Sequence, residues 1–299
     1  MKSNKRILVI RLSALGDIIA SFPTFAAIRQ YYPQAEITLL TLSPFKPLVE
    51  GCPYFDKVWT INRWSWTQLP AWLSFAKDLR GRGFDCVYDI QRNDRTRILS
   101  LLAPSGLRKK WYDRKGGGFS YETDALVATD ISRFPAVDLN WMSGDIARFD
   151  IPRPFVLLVP GSAPQHPQKR WPAAMYAELA QRIKELGYVP VLVGTQAEAD
   201  VLGHIGELAP YAVNLCGKTS IKDIAELARH AAAAIGNDTG PMHLVSAAGC
   251  PVVSLFSGRS NPDQSAPRGK SVSVLREENI ADIPVVAVFN AFRSLLSRD

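Results

Sequence analysis

Residues 231–236, Ala-Ala-Ala-Ala-Ile-Gly, run straight into Asn237-Asp238-Thr239-Gly240-Pro241-Met242-His243. The apolar stretch reads as a buried strand, and the polar turn behind it opens a helix over 242–249. Asp238 and Thr239 then stand at the helix start, where side-chain oxygens satisfy free backbone N–H groups. Those N–H groups and the helix dipole also favour a phosphate. Strand, small-residue turn and helix N-terminus together form the unit with which open α/β sheets bind nucleotides at their carboxyl edge. The next strand, over 251–256, ends in another small-residue pair, Ser257-Gly258.

The same alternation fills the chain. Strands are predicted over 6–12, 36–41, 58–61 and 85–90, with an apolar-periodic helical stretch from the 13–17 segment to 32 and a helix from 69 to 81. Pro23 restarts or kinks the first helix, because its ring has no N–H to donate. A second series follows Pro152-Arg153-Pro154: strands over 155–159, 190–193 and 212–215, helices over 173–186, 197–208 and 221–229. Alternating strands and helices imply doubly wound α/β layers. With 299 residues, two domains are expected. The Pro-rich 150–154 stretch divides them into 1–150 and 151–299. A last amphipathic helix over 283–298 is free to pack back on the first domain.

Composition narrows the function. At 47% hydrophobic and 21% charged residues the chain is an ordinary globular protein. No apolar run approaches the ~20 residues of a membrane span, and Arg11 cuts short the apolar run 7–10, so a cytoplasmic protein is expected. Cys52, Cys86, Cys216 and Cys250 lack metal-ligand spacing and read as buried free thiols. Of the net charge of +7, most lies before residue 150, and residues 77–115 hold 11 basic against 5 acidic side chains. This half is expected to meet an anion; the plain alternative is a solvated basic face. There is no Walker A pattern, GxGxxG or HExxH, which argues against kinase, dinucleotide oxidoreductase and zinc-hydrolase chemistry.

Four motifs occur in order: Arg11-Leu12-Ser13-Ala14-Leu15-Gly16-Asp17, Lys169-Arg170-Trp171-Pro172, Leu215-Cys216-Gly217-Lys218-Thr219, and Asn237 to His243. In combination they resemble the family-9 glycosyltransferases, the ADP-heptose:lipopolysaccharide heptosyltransferases, over nearly the whole chain. The resemblance implies a GT-B architecture, two Rossmann-like doubly wound domains facing a cleft. It assigns the acceptor to domain 1–150 and the nucleotide sugar to 151–299.

The resemblance makes Asp17 the general base that takes the acceptor hydroxyl proton; the alternative is a helix cap alone. Ser13 and Gly16 would shape the turn before it, on the donor side. Lys169 would stabilise the charge that builds on the departing diphosphate, helped by Gly161 and Ser162; otherwise Lys169 and Arg170 are exposed loop charges. Thr239 and Gly240 suit phosphate. Asp238 beside a diphosphate makes sense if it orients Lys169 or a sugar hydroxyl. His243 either contacts the diphosphate or is a buried helix residue. Glu198 matches the ribose-binding acid, and Gly217, Lys218 and Thr219 would line the adenine.

For the acceptor, Arg63, Arg92, Asn93, Arg95 and Arg97 are the candidates, since guanidinium groups bind carboxylate and phosphate bidentately. Arg92-Asn93 stands where the family often has a small residue. Trp64, Trp66 and Trp72 suit either a membrane interface or core packing.

The expected activity is an inverting, metal-independent transfer of heptose from ADP-heptose to an anionic glycolipid core. No cofactor or nucleic-acid partner is expected. Peripheral contact with the inner membrane is compatible with such an acceptor, and the oligomeric state stays open. The rival readings are a related transferase using another nucleotide-diphosphate sugar, and a non-catalytic nucleotide-sugar or polyanion-binding protein.

Overall fold

The structure, a computed structural model, describes residues 5–63, 65, 67–91, 93–101, 108–113, 120–121, 138–163 and 165–297. It divides between Trp141 and Met142 into two units, ahead of the Pro-rich 150–154 stretch.

The first unit begins with β1 (Arg6–Ile10), α1 (Leu15–Ala20), α2 (Phe22–Tyr31), β2 (Glu36–Leu42) and α3 (Lys46–Val49). It continues with β3 (Lys57–Ile61), α4 (Leu69–Gly81), β4 (Cys86–Asp89), α5 (Asp94–Leu101), β5 (Arg108–Asp113) and β6 (Ser120–Tyr121). Ile7 to Ile10 are at most 1% exposed, as an unbroken apolar strand covered on both faces requires. Pro23 lies in the first turn of α2, after a break at Ser21 that separates it from α1. The sheet order is β3-β2-β1-β4-β5-β6, parallel except for β6. The charged segment Arg-Lys-Lys-Trp-Tyr-Asp of β5 pairs beside β4, although its composition gives no strand signal. Trp72 is 7% exposed in the core with Leu8, Ile10 and Phe75, so it packs the interior. Trp64 and Trp66 lie outside the described residues.

The second unit opens with β7 (Phe155–Val159), α6 (Ala173–Glu185), β8 (Val189–Leu192), α7 (Ala199–Leu208), β9 (Val213–Asn214) and α8 (Ile221–His230). Then come β10 (Ala233–Asn237), α9 (Gly240–Ala247), β11 (Val252–Phe256), α10 (Pro262–Ser265), β12 (Val272–Arg276) and α11 (Val285–Leu296). All its strands are parallel, in the order β12-β11-β10-β7-β8-β9. Ser220 and Asp223 form a reciprocal cap at the start of α8. The final helix packs into this unit's own core: Val285, Val288, Phe292 and Leu295 join the cluster around Tyr176 and Ile183. Its apolar face is thereby matched to α6 and the sheet.

In both sheets the chain reverses direction once. The first winds from β1 through β2 and β3, then crosses to β4 on the other side of β1. The second winds from β7 to β9 and returns to β10 on the other side of β7. Loops diverge at such a reversal and leave a crevice at the carboxyl ends of the strands. That crevice falls between β1 and β4 in one unit, and between β7 and β10 in the other.

All four cysteines are free thiols. Cys52, Cys86 and Cys250 are buried, and burial pushes the Cys52 and Cys250 thiols up to about 12. Cys216 is only half-buried, contrary to expectation, in the turn that follows the sheet-edge strand β9. Among the described residues no helix is long and apolar enough to cross a membrane.

Candidate active site

In the first unit the segment leaving β1 is fixed from the end of β4. The Gln91 amide oxygen accepts from the Leu12 and Ser13 N–H groups at 2.9 and 3.1 Å, and the Gln91 N–H donates to Asp89. Asp17 is the third residue of α1. One carboxylate oxygen accepts from the Ala14 N–H at 3.2 Å; the other lies 3.3 Å from the Arg11 guanidinium. The side chain thus caps the helix and still stays 45% exposed. Gly16 is helical within α1 and takes no part in a left-handed turn.

Beside this segment a cavity of about 320 Å³ is lined by Leu12, Ser13, Leu42, Arg63, Asn93 and Arg95. Ser13, grouped by sequence with the donor residues, thus shares a pocket with three of the acceptor candidates. Asn93 also uses its side-chain oxygen to accept from the Thr96 N–H in the first turn of α5. Arg92 and the side chain of Arg97 lie outside the described residues.

In the second unit the Lys169 ammonium meets the Asp238 carboxylate at 2.7 Å, with the two side chains 22% and 8% exposed. One follows β7 and the other follows β10, so the pair sits at the reversal of the sheet. Asn237, fully buried, ties the two loops. Its oxygen accepts from the Trp171 N–H and the Tyr176 hydroxyl, and its NH2 donates to the Pro160 carbonyl at 2.7 Å and the Gly161 carbonyl at 3.4 Å. Burial pushes the Tyr176 hydroxyl up, which keeps it a donor.

Ser162 differs from expectation. Its hydroxyl donates to the His166 carbonyl and accepts from Arg170 Nε, while Arg170 also donates to the Ser162 carbonyl. At 3% exposure that hydroxyl ties the loop together, and Arg170 is half-buried in the same knot.

Glu198 reaches back over the loop that follows β7. One of its oxygens accepts from the Thr195 N–H and hydroxyl at 2.7 and 2.9 Å, and a Cβ on Gly161 would overlap its carboxylate. Gly161 is needed for that approach. Gly217, at φ +68°, packs against Gln196 two residues before Glu198. Lys218 donates to the Asn214 carbonyl within the β9–α8 turn, and Thr219 follows there half-buried. Thr239 precedes α9 with no side-chain cap bond; Pro241 carries no N–H and the Met242 N–H donates to the Thr239 carbonyl, so the Gly240 N–H is what the first turn offers. His243 is half-buried on α9. Among the described residues no three His, Cys, Asp or Glu side chains are grouped to hold a metal ion.

Residues 122–287 match the model of glycosyltransferase family 9 (heptosyltransferase). The chain belongs to that family. It is 25% identical to the lipopolysaccharide core heptosyltransferase OpsX of Haemophilus influenzae, over 92% of this chain and 86% of that one. Its fold is similar to Escherichia coli ADP-heptose LPS heptosyltransferase II, with a TM-score of 0.78 at 22% identity over 98% and 99% of the two chains. A family-9 glycosyl transferase from Veillonella parvula aligns with a TM-score of 0.83 at 21% identity, over 100% and 99%. The protein is a glycosyltransferase with the two Rossmann-like units of the GT-B fold.

Sequence reasoning quoted Arg11 and Asn237 within motifs without giving either a role, and gave none to Gln91.

Proposed function

We propose that this family-9 enzyme transfers heptose from ADP-heptose to an anionic sugar of the lipopolysaccharide core with inversion at the anomeric carbon. The first unit holds the acceptor and the second the nucleotide sugar. Asp17 takes the hydroxyl proton as the acceptor oxygen forms its bond to the anomeric carbon. The bond from that carbon to the β-phosphate breaks, and ADP leaves with the electron pair. Lys169 stabilises the growing phosphate charge, and no metal is assigned to that task. The observation that carries this reading is the Lys169–Asp238 pair at the reversal of the second sheet, beside the open N-terminus of α9.

The relatives' names for donor and acceptor support the same substrates. Glu198 is assigned to the ribose, and Gly217, Lys218 and Thr219 to the adenine. Gly161, Thr239, Gly240 and His243 are assigned to the diphosphate side. Arg63, Asn93 and Arg95 are assigned to acceptor carboxylates or phosphates, with Ser13 at their pocket and Arg92 and Arg97 as further candidates.

The test is incubation of the purified enzyme with a heptose-deficient lipopolysaccharide core and separate ADP-, UDP- and GDP-sugars, read by mass spectrometry. A gain of one heptosyl residue with ADP release is expected. Transfer from another nucleotide sugar alone, or from none, would overturn the donor assignment.

A peripheral position at the cytoplasmic face of the inner membrane belongs to the same reading. Leu69 and Leu73, 66% and 70% exposed one turn apart on α4, run into exposed Lys77 and Arg80. An apolar-then-cationic stripe suits an anionic bilayer. Cosedimentation with phosphatidylglycerol vesicles, lost in the Leu69→Glu, Leu73→Glu variant, is the expected result. A parent protein that stays in the supernatant would sink the idea.

A further inference from the structure

We infer that Arg11 is a positioning residue for the Asp17 carboxylate. The inference rests on the reading of Asp17 as the general base and adds the group that aims it.

The Arg11 side chain is 12% exposed, although it stands where the apolar run of β1 gives way to the loop. Its planar fork is used in three directions. Nη1 donates to the Ile90 carbonyl at 2.9 Å, just beyond the end of β4. Nε points to the Asp17 carbonyl at 3.3 Å, and Nη2 lies 3.3 Å from Asp17 Oδ1. One rigid guanidinium therefore links the end of β4 to both the backbone and the side chain of the base. Lysine offers one charged nitrogen and cannot reproduce that fork.

The second carboxylate oxygen is held independently by the Ala14 N–H. Two donors on two different oxygens restrict rotation of the carboxylate while leaving half of its surface open to a hydroxyl. Proton abstraction depends on such aim, since the reacting atoms must approach within hydrogen-bond distance and in line. Gln91 completes the brace by fixing the Leu12 and Ser13 N–H groups of the intervening loop. The groups that hold the base are thus themselves braced from the end of β4, far from it in sequence.

A purely structural pin between the two strand ends would use the Ile90 bond alone. The two roles separate in a double-mutant cycle. Asp17→Asn is expected to cut turnover about 10²–10⁴-fold. Arg11→Gln is expected to lower kcat about 10- to 100-fold, the scale of one charge-assisted hydrogen bond, with the donor and acceptor KM little changed. Arg11→Lys should recover part of the loss. In the Asp17→Asn background, Arg11→Gln should cost nothing further, because the carboxylate it aims is gone.

An equal Arg11→Gln loss in both backgrounds, or a rise in KM with kcat intact, would overturn the positioning role. Arg11→Lys serves as the second probe if the glutamine variant melts early. Near-parental turnover of Asp17→Asn would instead overturn the base assignment itself, whatever Arg11 does.

Discussion

The Lys169 ammonium and the Asp238 carboxylate, 69 residues apart in sequence, meet at 2.7 Å where the second sheet reverses direction. A carboxylate next to a diphosphate repels it, and a lysine held by that carboxylate attracts it. The two members of the pair should therefore respond with opposite signs. Lys169→Ala is expected to weaken ADP binding and slow turnover. Asp238→Asn should bind ADP as tightly as the parent or tighter, yet turn over more slowly, because the ammonium loses its fixed direction. Calorimetry with ADP and steady-state rates check both; weaker ADP binding in Asp238→Asn would refute the sign.

Arg63 and Arg95 line one cavity with Ser13 and Asn93. If they grip acceptor anions, Arg63→Ala or Arg95→Ala should raise the acceptor KM and spare that of the donor. Added salt should mimic the change, since exposed charges are screened over ~8–10 Å at moderate ionic strength. Acceptor constants that stay equal in variant and parent, at low and high salt, would leave these arginines as surface charge.

Asn237 supports the site from beneath. Asn237→Leu would leave the Trp171 N–H, the Tyr176 hydroxyl and the Pro160 carbonyl without their partner. Each buried orphan costs about 1–3 kcal/mol, so a loss of roughly 3 kcal/mol or more is expected. For a unit of this size that lowers Tm by about 6–12 °C. A variant melting with the parent would show that the clamp adds nothing to stability.

Asp56 sets an acid limit on the first unit. Burial alone would raise its carboxyl. The Ile37 N–H at 2.7 Å and the Arg29 guanidinium at 2.5 Å outweigh that and hold it below the usual range. A lowered folded-state value means stability that is complete above the unfolded carboxylate value of about 4 and lost as pH falls through the folded one. Asp56→Asn should therefore be less stable than the parent at pH 7, with the gap closing on acidification. Six of the seven tryptophans precede Met142, so urea unfolding followed by tryptophan fluorescence reports mainly this unit. A gap independent of pH would exclude the Asp56 carboxylate as its cause.

The elements were legible wherever a local pattern carries them. The helix Leu69–Gly81 and the strand Phe155–Val159 begin and end where the sequence predicts, because side-chain periodicity and burial are properties of neighbouring residues. The charged strand Arg108–Asp113 carries no such pattern; it is a strand because a neighbour offers it a ladder. The candidate site divides the same way. The motifs and the family resemblance they carry singled out Asp17, Lys169 and Asp238, whose position after a strand is local. The Lys169–Asp238 pairing was one of the alternatives the sequence left open; the other contacts were not legible. Arg11 meets Asp17 in a fork braced from Ile90, Asn237 holds Trp171 and Tyr176, and Ser162 spends its hydroxyl on His166 and Arg170. Those contacts follow from strand order and loop path, which only the folded chain sets, because a hydrogen bond is decided by distance in space and not by separation in sequence.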